Sequence, residues 1–400
     1  MRPLPIAQEL VRRGHNVDLL CLADTAMFTQ REDEEGGVRI IETPDLLPGK
    51  LRSGWDPISI CRRISWMKSR GTSWDIIQAQ ESRPATIYPV KWLLKRQPAA
   101  LVMDWIDWWG RRGLITEARP RWYQILFGRL ETHYEEAYRV MADGNTIISR
   151  PLVRRAESLG VSPDRICLLR NGIASSVIER MERVDREPGA KRRLRQRFGI
   201  PYGDAVILFS AMDVFFDAEL VIRSIAELAR EIPNVRLVTT GTERSEIHAL
   251  AGRLGVSGLV QQLGRLSLDD YLDALLCANI FAVPMRDTVS NRGRWPSKVG
   301  DYMAAGRPLV ANPVGDVASA IKEADVGLLA EYEPSSFAGA CAQLLRDPGL
   351  QVEKGRSGRE YAKKNLTWEH LIDDLERFYL QILETRNNNG NGDRSIPQRT

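Results

Sequence analysis

The stretch Asn291-Arg292-Gly293-Arg294-Trp295-Pro296-Ser297-Lys298-Val299-Gly300-Asp301-Tyr302-Met303-Ala304-Ala305-Gly306 lies between two short apolar runs, Ile280–Pro284 and Pro308–Ala311. Short β-rich runs on either side of a helical stretch are the pattern of parallel strands joined by a crossover helix. A helix is expected over Ser297–Ala305. Pro296 suits its first turn, where a missing N–H costs nothing. Ala304-Ala305-Gly306 places small residues where the helix closes on the neighbouring strand.

The same alternation extends outward. Strands are expected at Val206–Ser210, Val235–Thr239 and Val260–Leu263, with helices at Ala218–Arg230, Arg244–Leu254, Leu268–Cys277 and Pro334–Leu345. The first half repeats the scheme, with strands at Asn16–Cys21, Val38–Ile41, Trp74–Gln78, Ala100–Met103 and Thr146–Ser149, and helices at Pro3–Arg13 and Gln124–Arg139. Two α/β domains follow, which suits a chain of 400 residues better than one core. The expected division is a first domain over 1–180, a charged linker over 181–203 and a second domain over 204–365. A crossover helix over 366–385 and a disordered tail over 386–400 complete it. Such a domain normally opens with a strand and a glycine-rich turn. Here a helix comes first, so the first domain is expected to lack its first strand.

Composition narrows the class. The chain is 43% hydrophobic and 27% charged, as in globular proteins, and its net charge of +4 is too small to argue for nucleic acid. No apolar run approaches the ~20 residues of a membrane span. Cys21, Cys61, Cys167, Cys277 and Cys341 are scattered and odd in number. They read as buried thiols in a reducing, cytoplasmic setting rather than as a disulfide framework or metal cluster.

The second half resembles the retaining family 4 glycosyltransferases (glycosyl transferases group 1). The resemblance rests on Leu263-Gly264-Arg265-Leu266, Ala278–Pro284, Pro296–Pro308 and Val314-Gly315-Asp316. Glu9–Val17, Ala142-Asp143, Ile148-Ser149 and Asn171-Gly172 extend it diffusely into the first half. It implies the GT-B fold, two Rossmann-like parallel-sheet domains facing a cleft. It also implies a nucleoside-diphosphate sugar as donor, a hydroxyl acceptor on a glycan, lipid-linked glycan or small molecule, and no metal cofactor. A helix N-terminus can hold a pyrophosphate with its N–H groups and dipole. Ser297 and Lys298 are placed for this, and Asp301, one turn on, takes the position where the family has a glutamate for the ribose hydroxyls. Gly241, Gly264 and Asp316 fall at the carboxyl ends of neighbouring strands. The plain alternative is a capped amphipathic helix with an ordinary surface aspartate.

Three positions depart from the family. The glutamate that touches the donor sugar falls on Gly293, and Asn291 or Asp287 stands nearby. The two cations after the domain's first strand fall on Met212 and Asp217. Arg292 and Arg294 are the candidates to supply the missing charge. In the first half, Met103-Asp104-Trp105-Ile106-Asp107-Trp108-Trp109-Gly110 follows an apolar strand, where Asp104 or Asp107 is placed to orient or deprotonate an acceptor. The alternative there is a capping aspartate among packed tryptophans. His15 and His133 read as structural and surface residues. Basic and aromatic residues also interleave at Arg62-Arg63 with Trp66 and Lys68, at Trp92 with Lys95-Arg96, and at Trp122, a pattern compatible with peripheral contact to the inner face of a membrane. Two other readings stay open: a non-catalytic nucleotide-sugar-binding or transferase-partner protein, and a nucleotide-sugar epimerase.

Overall fold

The computed structural model describes residues 2–23, 28–45, 54–211 and 215–388. The chain forms two compact units. One contains Met1–Arg170 with Leu371–Thr400, and the other contains Asn171–His370.

The first unit runs α1 (Pro3–Arg12), β1 (Asp18–Leu22), β2 (Arg31–Glu35), β3 (Val38–Thr43), α2 (Pro57–Arg70), β4 (Ile76–Ala79) and α3 (Pro84–Leu94). It continues with β5 (Ala100–Trp105), α4 (Leu114–Ala118), α5 (Arg121–Met141), β6 (Gly144–Ile147), α6 (Arg150–Ser158) and β7 (Ile166–Leu168). Strands β4-β5-β6-β7 form a parallel sheet. Every residue of β5 and β6 is buried, and β5 accordingly reads as a nearly unbroken apolar run. A separate sheet has the order β1-β3-β2, with β1 and β3 parallel and β2 antiparallel. Strand β2 was not legible in the sequence: Arg31-Glu32-Asp33-Glu34-Glu35 is exposed throughout and has no apolar alternation.

The second unit begins with α7 (Ser175–Arg186) and α8 (Ala190–Arg197), followed by β8 (Ala205–Ala211), α9 (Phe215–Leu228), β9 (Val235–Gly241), α10 (Ser245–Arg253) and β10 (Val260–Gln262). Next come α11 (Leu268–Leu276), β11 (Ile280–Val283), α12 (Val289–Arg292), α13 (Ser297–Ala305), β12 (Leu309–Ala311), α14 (Gly315–Ala324) and β13 (Gly327–Leu329). Helices α15 (Pro334–Arg346), α16 (Pro348–Asn365) and α17 (Trp368–Asn388) close the chain. The six strands are all parallel, in the order β10-β9-β8-β11-β12-β13. Strand order therefore reverses between β8 and β11, the place where open α/β sheets leave a crevice for ligand at their carboxyl edge.

Residues 181–203, expected as a linker, instead contain the second half of α7 and all of α8 and belong to the second unit. Their charge misled because it lies outward, while Ile178, Met181 and Ala190 are buried. Arg195 is buried as well, with its guanidinium donating to the carbonyls of Cys277, Tyr202 and Asp204. The tail from residue 389 lies outside the described residues, as does Met212. Among the cysteines, Cys167, Cys277 and Cys341 are buried, but Cys61 is exposed.

From Leu371 onward α17 belongs to the first unit. Thr367 caps its start by accepting the His370 N–H at 3.4 Å. Arg13 donates to Asp373 at 2.6 Å and to Glu376 at 3.1 Å, and His15 lies 2.7 Å from Glu376, which gives this histidine the structural part expected of it. At β6 the helix rests directly on Gly144, where a Cβ would come within 2.3 Å of Ile382 and 2.8 Å of Phe378. Gly144→Ala is expected to destabilise the first unit by about 1–3 kcal/mol through overpacking, to be read as a lower midpoint in chemical denaturation followed by tryptophan fluorescence.

Candidate functional site

The site is built where strand order reverses. Tyr302, on α13, stacks on Phe281 of β11 with ring centroids 4.0 Å apart, and its hydroxyl accepts the Ser210 N–H at the end of β8 at 2.8 Å. These two contacts fix the first turns of α13 against the carboxyl ends of the two strands at the reversal. Neither role, that of Tyr302 or of Ser210, is legible in the sequence, because a lone tyrosine and a lone serine form no motif. Pro296 is the N-cap rather than a residue of the first turn, and Ser297 stands exposed as the first helical residue. Helix residues at this end leave N–H groups without intrahelical partners.

Lys298 reaches back over the Phe209 ring, 4.4 Å from its centroid, and its ammonium donates to the Ser210 carbonyl at 3.0 Å. Burial lowers its pKa to about 8, with the Asp217 charge opposing this and Arg294 adding to it. Asp217, in the first turn of α9, has a raised pKa because it is desolvated, although Lys298, Arg294 and Arg286 all favour its charged form. The position that lacks a family cation thus holds an acid within reach of three cations.

Asp301 accepts the Tyr271 hydroxyl of α11 at 3.0 Å, and burial raises its carboxyl to about 6 while that bond opposes the rise. Nothing in the sequence marked Tyr271 as its partner.

The loop after β11 holds the other expected residues. Asn291 is buried, with its amide donating to the Arg286 carbonyl at 2.9 Å and accepting from Arg294 at 3.2 Å. Its side chain therefore orders the loop and holds Arg294. Arg292 is exposed and bidentate to Asp287, at 2.6 and 2.7 Å, which sets it apart from Arg294. Gly315 is left-handed, with φ of 57°, and a Cβ there would come within 2.8 Å of the Arg292 carbonyl. Only glycine allows this approach, which brings buried Asp316 in α14 beside the same loop. Gly241, with φ of 113°, donates its N–H to the Gly264 carbonyl at 2.9 Å, and Arg265 donates to Thr242 at 3.3–3.4 Å. The two glycine loops are thus neighbours at the carboxyl edge of β9 and β10.

The acidic stretch of the first unit divides. Asp104 is fully buried in β5, with Oδ2 accepting from Arg2 at 3.1 Å and Oδ1 from Arg2 at 3.2 Å and Thr146 at 2.5 Å. This partner set makes it an anchor between β5, β6 and the N-terminal helix, and corrects its placement as a residue facing an acceptor. Asp107 is half-buried in the turn beyond β5. The nearby tryptophans pack as the plain alternative required: Trp105 is buried beneath Arg139, and its indole donates to Glu135 at 3.1 Å. Of the basic and aromatic stripe, Arg63 and Trp66 of α2 are buried, while Arg62 and Lys68 are exposed and Trp122 is 59% exposed. His133 is exposed, as expected.

The family described as "Glycosyl transferase 4-like domain" matches residues 2–172, and the family described as "Glycosyl transferases group 1" matches residues 205–347. A D-inositol 3-phosphate glycosyltransferase of Acidothermus cellulolyticus is 28% identical over 240 residues, covering 57% of this chain and 50% of that protein. The chain spans about half the length of the curated relatives it matches. Among solved structures, sucrose-phosphate synthase of Thermosynechococcus elongatus superposes with a TM-score of 0.73 at 16% identity, over 95% of this chain and 92% of that one. Anabaena HepE in complex with UDP-glucose gives 0.66 at 14% identity, over 96% and 94%. The chain belongs to the GT-B glycosyltransferases of the group 1, family 4-like kind.

Tyr302→Phe preserves the ring stack on Phe281 and removes the acceptor of a buried N–H. It is expected to cost about 1–3 kcal/mol, the penalty of an unsatisfied buried donor, measured by denaturant unfolding of the second unit.

Proposed function

We propose that this protein transfers a glycosyl group from a nucleoside-diphosphate sugar to a hydroxyl acceptor, with the donor bound at the carboxyl edge of β8 and β11. The observation that carries this reading is the Lys298 ammonium held against the end of β8 beside the N-terminus of α13, at the reversal of strand order. A pyrophosphate there meets Lys298, the helix dipole and Arg294. These charges stabilise the leaving diphosphate as the glycosidic bond breaks. Asp301, oriented by Tyr271, is placed to accept ribose hydroxyls, and Ser297 to donate to a phosphate oxygen. Gly241, Gly264 and Asp316 border the same edge. Asp107 is the acid of the first unit proposed to orient the acceptor.

The resemblance to family 4 supports retention of anomeric configuration and a reaction carried by protein cations without a bound metal. The UDP-glucose in the HepE structure makes uridine diphosphate sugars the first donors to test, and the name of the Acidothermus relative makes an inositol phosphate the first acceptor. One observation favours a second reading, a nucleotide-sugar binder without turnover: Asp217 offsets part of the positive charge that a diphosphate would use.

Calorimetry with UDP and product analysis with UDP-sugars separate these readings. Binding with turnover supports the transferase, binding alone supports the second reading, and no binding to any nucleoside diphosphate overturns both. Lys298→Ala and Arg294→Ala are each expected to weaken nucleotide binding about tenfold or more, the scale of one lost charged hydrogen bond. Arg292→Ala, which removes a side chain already paired with Asp287, is expected to change it little.

Affinity is also expected to peak between about 6 and about 8 on the pH scale. Below this window Asp301 is protonated and loses acceptor capacity. Above it Lys298 loses its charge, so Lys298→Ala should flatten the alkaline limb. A chelator is expected to leave turnover unchanged, and loss of turnover on chelation with recovery on adding a divalent cation would refute the metal-free reading.

A further inference from the structure

Lys191 stands in the first turn of α8, the end of a helix where a cation is disfavoured. The N–H groups without intrahelical partners carry partial positive charge there, the N-cap Gly189 has no side chain to accept from them, and the turn contains no acid. The lysine is half-buried, and among the described residues none forms a hydrogen bond or ion pair with it.

Its surroundings explain the missing partner. Arg195, one turn on and on the same face of α8, donates to the carbonyls of Cys277, Tyr202 and Asp204 and to the Asn279 side chain at 2.6–3.0 Å. Arg307 donates to the two oxygens of Asp185 at 2.6 and 3.0 Å and to the carbonyls of Ala278 and Ala305 at 3.3 and 3.1 Å. Arg359 takes Asp185 as well, at 3.3 Å. These guanidiniums are held in place and stay charged, because arginine does not lose its proton in a protein. Other acids of the neighbouring helices are claimed in the same way, Asp273 by Arg180 and Arg197 at 2.9 Å each and Glu187 by Arg193 at 2.6 Å. The Cys277 thiol, pushed up to about 12 by burial, supplies no negative charge. Lys191 is thus a surplus cation, repelled by Arg307 and Arg195 with Asp185 opposing them. It is the one basic group among these that can respond by giving up its proton. Burial and the two arginines lower its pKa to about 7, whereas a lysine at its ordinary value leaves fewer than about one amine in a thousand uncharged at neutral pH. Lys298, whose pKa is also lowered, differs in donating to the Ser210 carbonyl at 3.0 Å, with the charge of Asp217 favouring its ammonium.

We propose that the Lys191 amine is a modification site for carbon dioxide, which it takes up reversibly as a carbamate. The nitrogen lone pair forms an N–C bond to the carbon of CO2, one C=O π pair moves onto oxygen, and the nitrogen releases its proton to solvent. An anion thereby replaces a cation at the positive end of α8, beside Arg195 and Arg307. The field that frees the amine of its proton then stabilises the product. A neutral amide, left by transfer of an acyl group from an acyl phosphate, would remove the surplus cation without giving the arginines a counter-charge, so the carbamate suits the cluster better. The inference goes beyond the transfer reaction, and its test does not depend on turnover or on donor binding.

The full chain is equilibrated with carbon-13 bicarbonate at neutral pH and treated with triethyloxonium, which ethylates the carbamate oxygen and fixes the adduct for peptide mapping by mass spectrometry. The ethyl carbamate is expected on Lys191 at about tenfold or more above any other lysine, following its larger share of uncharged amine. Carbon-13 NMR of the untrapped protein is expected to show a carbamate resonance that is lost in Lys191→Arg and persists in Lys298→Arg. The resonance should fade as the pH is lowered below about 7, where the Lys191 amine takes up its proton. Circular dichroism of the Lys191→Arg protein is expected to match the unmodified chain, and the mapping of the unmodified chain stands without any variant. Absence of an adduct at Lys191, adducts spread evenly over the lysines, or a resonance that survives in folded Lys191→Arg would each overturn the proposal.

Discussion

Tyr302 holds the second unit's site together through two different forces acting on one side chain. Its ring is fixed by stacking on Phe281, and its hydroxyl by the Ser210 N–H. A helix packed only by apolar contacts can slide by a fraction of a turn, because dispersion forces have little direction. A hydrogen bond at one end of a stacked ring removes that freedom. The position of Lys298, one turn earlier, and of Asp301, adjacent, follow from it. At its far end α13 is held by Arg359, which donates to the carbonyls of Ala304 and Ala305 at 2.9 and 2.8 Å, and by Arg307, bidentate to Asp185 at 3.0 and 2.6 Å. The helix that carries the chemistry is thus fastened at both ends.

Much of this architecture was legible from apolar periodicity. The bounds of α13 agree with the sequence reading to the residue, and β8, β9 and β11 agree within one or two. These elements lie in the core, where burial imposes one pattern over several residues. The misreadings have a common cause in side chains whose partners are distant in sequence. Asp104 looks like a cleft acid until Arg2 and Thr146 close around it, and neither is near it in the chain. The charge of residues 181–197 suggested a linker because the sequence does not show that charge on one face can accompany a buried opposite face. Arg292 and Arg294 are two residues apart and look equivalent, yet one is claimed by Asp287 and the other is held by Asn291.

Electrostatics at the strand reversal balances opposing demands. Lys298, Arg294 and Arg286 gather beside Asp217, where burial penalises the charges of Lys298 and Asp217. An acid among three cations lowers their mutual repulsion in the absence of ligand. It also leaves the cluster with less positive charge to offer a diphosphate. The pKa directions of Lys298 and Asp217 record the same conflict, since each is pushed toward its neutral form by desolvation and pulled back by the other.

Strand β2 bears on how the molecule behaves in company. Its five residues are all charged and all exposed, and among the described residues its one strand partner is β3. Among the described residues this leaves one edge of β2 without a neighbouring strand; such an edge is a template on which another chain can add, and the adding strand would have to bring its own side chains alongside these. Four of the five are carboxylates, so a second β2 approaching this edge meets like charge at close range. Growth of the sheet from one molecule into the next is disfavoured at this border, and the residues that hid the strand from a reading of apolar pattern are the same ones that keep its edge solitary.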